Sequence, residues 1–331
     1  MSQAMGEPRR ARRILLFVAE YLVGGGIIYW LLHRNILDLT PLRSISLPLV
    51  VGGVSLALAM TYLASIRLKY LLRDQDIRIT VRRCFFFNCM AIFYSMFLPG
   101  GFSGDAARAY YLLREIGHNR AALLGSLVLD RMLGLLAMIG LGTASSAFLV
   151  VSNPWLMTYF IYLSVLFVIG VAFLGYLLLA EHRPDSGGKR NLLVRIYGFI
   201  HNLLVRLNIG AHSRKTLAYA VALSVAIHSL SILLIYVCSV HNESGLGLLG
   251  VFSVGPFGLL ANAIPISPGG LGVGEQSFEF LYRVVGGRNG ASSFLTARLF
   301  LYSPAVIGAL VAAALFLRLH KVAGRGKPAE R

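Results

Sequence analysis

The chain has 331 residues, 56% of them hydrophobic and only 14% charged, with a mean hydropathy of +0.70. So few charges could not cover the surface of a water-soluble domain, which excludes that class; a stretch of ~20 apolar residues crosses a bilayer once, and the length admits six to eight crossings. The 31 Lys and Arg against 14 Asp and Glu, a formal charge of +17, point in so apolar a chain to membrane orientation and anionic headgroups rather than to nucleic acid.

Arg9, Arg10, Arg12 and Arg13 precede an apolar run over 14–32. The run is too long for a signal peptide, and no Ala-x-Ala-like site follows it. Residues 1–13 are therefore expected to stay as a basic cytoplasmic N-terminus, with 14–32 as a first crossing. Further crossings are predicted over 45–66, 121–150, 155–180, 216–240 and 291–317, each apolar on all sides as lipid and neighbouring helices require.

Two more apolar runs, 84–98 and 246–265, break at Pro99-Gly100-Gly101 and Pro265-Ile266-Ser267-Pro268-Gly269-Gly270. These read as re-entrant or broken helical hairpins. Residues 190–208 place Leu192, Leu193, Ile196, Phe199, Ile200, Leu203 and Leu207 at helical spacing opposite Arg195, Asn202 and Arg206, the pattern of an amphipathic helix on the inner leaflet. If both broken runs dip in and return, residues 1–13, 67–83, 102–120, 181–215 and 318–331 share one side and hold 25 Lys and Arg, against four on the other. The positive-inside rule then puts both termini in the cytoplasm, including a basic tail over 319–331. Cys84, Cys89 and Cys238 form no Cys-x-x-Cys pair and read as small core residues; no metal site and no cofactor is expected.

The two breaks echo one another. Leu98-Pro-Gly-Gly-Phe-Ser-Gly-Asp105 aligns with Ser267-Pro-Gly-Gly-Leu-Gly-Val-Gly-Glu275, each leading to a carboxylate. Gly117 and Gly287, Asn119 and Asn289, and Ala121 and Ala291 continue the register. Each half then holds two crossings, a broken hairpin and a third crossing, over 14–150 and 151–318. Three crossings is an odd number, so the second half enters the membrane upside down, as in many secondary transporters. The expected fold is an all-α polytopic membrane protein with about six transmembrane helices plus two re-entrant or broken hairpins in an inverted-topology repeat.

Unravelled backbone at Gly100, Gly101, Pro268, Gly269 and Gly270 cannot face lipid, so these turns should be buried in protein or line a wet cavity. Asp105, Arg108, Asp130, Arg131, Glu275 and Arg298 lie beside or within apolar segments, where unpaired charge is costly. They should pair with one another or meet a substrate. Arginine suits a lipid phosphate, because its planar fork binds two oxygens and keeps its proton. Gly101-Phe102-Ser103-Gly104 also matches the Gly-x-Ser-Gly element of rhomboid-type intramembrane proteases, with His228 available as base.

Together, Pro-Gly-Gly-x-x-Gly-Asp105-x-x-Arg108, Asp130-Arg131 and Pro265-Ile-Ser-Pro-Gly-Gly-Leu-Gly-Val-Gly-Glu275 resemble the lysylphosphatidylglycerol synthase transmembrane-region family, also called flippase-like domain proteins. The resemblance spans nearly the whole chain. It implies a bacterial plasma-membrane protein that moves a lipid between leaflets. The chain ends soon after its last apolar run, so a stand-alone member without the aminoacyl-transferase domain is expected. The resulting expectation is a non-enzymatic lipid translocase, flippase or scramblase, for an anionic phospholipid, an aminoacylated phospholipid or a polyprenyl-phosphate-type lipid. A proton or ion gradient is a candidate energy source. An intramembrane hydrolase using Ser103 and His228, and a scaffold of a lipid-synthesis complex, stand as alternatives.

Overall fold

The computed structural model describes residues 22, 25–34, 37–97, 103–152, 154, 157–179, 213–264, 266–311 and 313–314. The expectations for residues 1–13, Gly100 and Gly101, the interfacial helix 190–208 and the tail 319–331 lie outside them, as does much of the first predicted crossing. Among the described residues the regular structure is entirely helical. In chain order the helices are α1 (25–33), α2 (Thr40–Arg43), α3 (Leu47–Asp74), α4 (Val81–Phe97), α5 (Ser103–Ile116) and α6 (Arg120–Ser152). They continue with α7 (Met157–Leu179), α8 (Arg214–His241), α9 (Leu248–Asn262), α10 (Val273–Val284) and α11 (Gly290–Leu301), whose path resumes over 304–311 after a turn at Tyr302 and Ser303.

Among the described residues four helices are long and apolar enough to span a bilayer, Leu47–Asp74, Arg120–Ala147, Arg214–His241 and Gly290–Val311. They fall on the crossings expected over 45–66, 121–150, 216–240 and 291–317. The crossing expected over 155–180 is α7, with a shorter apolar stretch at Phe160–Tyr176. At 15 residues, α9 is ~22 Å long at 1.5 Å per residue, short of the ~30 Å hydrocarbon layer. Outward-facing Val51, Tyr162, Val168, Ile169, Val306 and Leu310 are exposed apolar side chains, which suit lipid and would be a liability in water.

One boundary differs from the sequence reading. The predicted crossing ended at residue 66 because charged residues begin there, yet α3 continues to Asp74 and Arg67 is buried within the bundle. A hydropathy window stops at a charge; the helix does not, because Arg67 finds a carboxylate on another helix.

The bundle is centred on α3 and α8, each 28 residues long. Ser46 (ψ 150°) and Ser213 (ψ 144°) precede them in extended conformation, as helix-initiating residues do. Both also end alike: Ile77 N–H donates to Leu72 O and Ser244 N–H to Ser239 O, each at 3.0 Å, a Schellman closure. Asp76 (φ 58°) and Glu243 (φ 50°) supply the left-handed residue of these turns. The two helices run antiparallel, since Asp74 accepts from Ser213 N–H, Ser224 from Arg67, and Met60 from Ser231, with numbers falling on one helix as they rise on the other.

Around this pair, α4 packs on α3 and α5, and α9 packs on α8 and α10. Helix α6 lies against α3, α8 and α9, while α11 lies against α3, α8 and α10. Leu68, Leu72, Cys84, Phe87, Met90, Leu112 and Leu123 form the core of the α4–α5 side. Ile232, Ile235, Val251, Val254, Phe278, Phe294 and Phe300 form that of the α9–α10 side. The three cysteines are buried thiols, Cys84 and Cys238 within these two cores.

Gly104 and Gly308 permit close helix approach. A Cβ at Gly104 would strike the Ala91 carbonyl oxygen, and one at Gly308 would strike the Cys89 carbonyl oxygen, so 304–311 also seats directly on α4. Because the obstacle is backbone in both cases, Gly104→Ala and Gly308→Ala should each destabilise the protein by about 1–3 kcal/mol. Gly52→Ala, with nothing within 4 Å of its added Cβ, should not. Thermal unfolding of the purified variants in detergent checks this, and equal melting temperatures for all three would refute the packing.

Candidate functional site

The first charged cluster is assembled from five helices. Asp130, on α6, is 3% exposed at its side chain and uses both oxygens: Oδ1 accepts from Arg67 Nε at 2.7 Å, and Oδ2 from Arg108 Nη2 at 3.3 Å. Arg67 also donates to Ser224 Oγ on α8 at 2.6 Å. Arg108 donates through Nη1 to Asn88 Oδ1 on α4 at 2.8 Å, and Asn88 in turn donates to Ser65 Oγ at 2.9 Å. Burying so many formal charges is tolerable only because each aspartate faces two guanidiniums and the remaining donors meet neutral acceptors. Arg108 Nε is the exception: it is buried and, among the described residues, has no acceptor.

The cluster opens at one edge. Asp105, in the first turn of α5, accepts from Arg108 at 3.1 Å and from Arg131 Nη2 at 2.6 Å through the same oxygen. The side chain of Arg131 is 61% exposed against 5% for Arg108. Arg131 lies eleven residues past the start of α6 at Arg120, ~16 Å along the helix axis. A guanidinium facing hydrocarbon carries a large cost, so an exposed one on an apolar helix calls for water or a polar partner. His228 and Arg67 flank Gly134 one turn further along α6, their nitrogens 3.8 and 3.4 Å from where a Cβ would stand.

The second cluster is built around the other turn. Pro268–Gly270 forms a short 3-10 turn in which Gly269 (φ 59°) and Gly270 (φ 70°) adopt left-handed conformations that only glycine takes without strain. Glu275 accepts from Gly272 N–H at 2.7 Å, capping α10, and from Arg298 Nε at 2.6 Å. Arg298 then closes the turn: it donates to the carbonyls of Gly269 (2.5 Å) and Gly270 (3.1 Å), to Asn262 Oδ1 (2.8 Å) and to Tyr302 Oη (3.0 Å). Its guanidinium carbon also sits 4.8 Å from the Phe294 ring centroid. With Nε and both terminal nitrogens engaged, Arg298 holds the turn shut and has no spare donor for a substrate oxygen.

Each predicted charge therefore pairs, but the two groups differ. Asp105, Arg108, Asp130 and Arg131 join one network; Glu275 and Arg298 join another with Gly269 and Gly270, and no ion pair among the described residues links the two. Among the described residues the Pro268–Gly270 turn packs on α4, and Ser95 lies beside both Gly104 and Gly269. Sequence reasoning missed Arg67, Asn88, Ser224 and Asn262. Arg67 carried a signal, the first charge to follow an apolar run. Ser103 opens α5, and the other hydrolase candidate, His228, stands beside Gly134 and Arg67.

Substituting Asp130 by Asn leaves two buried arginines without their shared carboxylate and should cost about 3–5 kcal/mol. Arg131→Gln removes a largely exposed side chain and should change stability by less than about 1 kcal/mol. Arg298→Lys keeps the charge but not the fork, and should cost about 1–3 kcal/mol through unmet carbonyls. Melting temperatures in one detergent rank the three; a tolerant Asp130→Asn would contradict the buried network.

No curated protein matches the chain. A family model, the lysylphosphatidylglycerol synthase TM region, matches residues 17–308. Covering nearly all of the bundle and both charged clusters, that match places the chain in the lysylphosphatidylglycerol synthase transmembrane-region family.

Proposed function

We propose that the protein is a lipid translocase of the bacterial plasma membrane, passing a phosphate-bearing headgroup through the bundle while the acyl chains stay in lipid. The observation that carries this reading is the accessible Arg131–Asp105 pair at the edge of an otherwise buried charge network. Such a pair can trade partners. A headgroup phosphate replaces Asp105 on Arg131, while Asp105 keeps Arg108, so neither leaves a charge bare during the exchange. The work is the lowering of a transfer barrier rather than bond chemistry.

The architecture proposed with it is an inverted repeat with re-entrant hairpins. Helix starts support it: Leu47 and Arg214, and Val81 and Leu248, are 167 residues apart, whereas Ser103 and Val273, and Arg120 and Gly290, are 170 apart. The two series differ only by residues added around the second turn. The equal lengths, matching ends and antiparallel course of α3 and α8 support it further. So does part of the packing pattern, which is kept when these helices are exchanged for their counterparts: α3 and α6 on each other and on α8, α8 and α11 on each other and on α3. With both termini cytoplasmic, the turn after α3 faces the cytoplasm and the turn after α8 faces outward. Cysteines placed at Asp76 and Glu243 should then react with a membrane-impermeant maleimide from opposite sides of the membrane; labelling from the same side rules out the inversion.

Transfer itself is tested with purified protein in liposomes carrying fluorescent phospholipids, with and without a proton gradient. Wild type should move lipid between leaflets, Arg131→Gln should lower the rate about tenfold or more, and Ser103→Ala should leave it unchanged. Loss of all activity with Ser103→Ala favours a hydrolase. A scaffold moves no lipid in any condition, and that result overturns the translocase.

A further inference from the structure

The five charged side chains linked in the first cluster, Arg67, Arg108, Arg131, Asp105 and Asp130, sum to one positive charge. In the second cluster Arg298 and Glu275 cancel. The surplus is localised at the open edge: Asp130 is shared by two buried arginines, Asp105 is shared by Arg108 and Arg131, and Arg131 is the member with its side chain mostly exposed. Arg131 gives Nη2 to Asp105 and, among the described residues, no other N–H to an acceptor. Arg108 Nε is a second unused donor in the same network.

We infer that this cluster is selective for a headgroup of one net negative charge, a phosphodiester monoanion, and that Arg131 and Asp105 set that selectivity by charge balance. The inference rests on the proposed role of the cluster as the headgroup site. A monoanion brings the network to neutrality, the state of least cost in a poorly solvated interior. A zwitterionic headgroup leaves the surplus positive charge in place. A phosphomonoester, doubly charged when fully ionised, overshoots to a net negative charge. Both oxygens of a phosphodiester suit the planar fork of Arg131, whose side chain is mostly exposed. Asp105 makes the count: without it the cluster carries two surplus charges and matches a dianion.

The test reads binding, not transfer, so it stands apart from the translocase assay. Purified full-length protein in detergent is offered an equimolar mixture of phosphatidylglycerol, phosphatidic acid and phosphatidylcholine at pH 8.5, and retained lipid is quantified by mass spectrometry. Wild type should retain phosphatidylglycerol about tenfold over the other two. Arg131→Gln, with a neutral cluster, should lose that preference. Asp105→Asn, which keeps Arg131 and leaves two surplus charges, should shift it to phosphatidic acid. A change of preferred lipid, rather than a loss of all binding, separates charge balance from damage to the fold. Competition by soluble glycerophosphoglycerol as strong as that by the lipid identifies a free phosphodiester as ligand; weak competition identifies a lipid. Wild type retaining phosphatidylcholine or phosphatidic acid as well as phosphatidylglycerol, or an order unchanged by Asp105→Asn, overturns the inference.

Discussion

The carboxylate of Asp130, gripped between Arg67 and Arg108, is the interaction on which the rest of the bundle depends. Three helices, α3, α5 and α6, converge on it, and Arg67 adds α8 through Ser224. In a bilayer interior the helices gain little from burying apolar surface against one another, because lipid tails are equally apolar. Charges that must be paired therefore dictate which helices meet and in what register. Removing Asp130 strands Arg67, so the network specifies a single arrangement more strongly than its net energy alone implies.

That constraint also explains why one part of the network is accessible. Two aspartates cannot neutralise three arginines, and the arginine left over is held at the edge by an aspartate it shares. The second cluster has no such remainder. Arg298 spends its donors on a carboxylate, two glycine carbonyls, an amide and a phenol, which makes the Pro268–Gly270 turn rigid although it is neither helix nor sheet. The broken backbone that lipid cannot satisfy is satisfied by one side chain.

In the proposed repeat, scaffold and chemistry part company. At the offsets that relate the helix starts, Arg67, Asn88, Arg108 and Asp130 correspond to Leu234, Gly255, Phe278 and Phe300. Where the first half has its arginine network, the second half has a core in which Phe278 and Phe294 stack with ring centroids 4.2 Å apart. Of the charged residues in the first network only Asp105 has a charged counterpart, Glu275. In that proposed frame the filling is asymmetric, a charged network in the first half and a latched turn in the second.

Much was legible in the sequence because membrane insertion writes itself into composition: apolar length locates spans, and the Pro268-Gly269-Gly270 break locates a turn. Asp105, Arg108, Asp130 and Arg131 could be singled out for the same reason, since a charge within an apolar run must have a purpose. Partner identity could not be read, because pairing joins residues far apart in the chain. The Asp130-Arg131 dipeptide illustrates this. Neighbours on a helix point about 100° apart, so Asp130 turns inward to Arg67 and Arg108 while Arg131 turns to Asp105 and the open edge. Arg67 lay just beyond the predicted span, where hydropathy treats every charge as solvent-bound. Sequence by itself determined that this chain crosses the membrane, where its helices break and which side chains cannot be left alone. The tertiary structure decided which charges cancel, which arginine is left accessible and which holds a turn closed, because those outcomes depend on distances of a few ångströms between helices that no local pattern encodes.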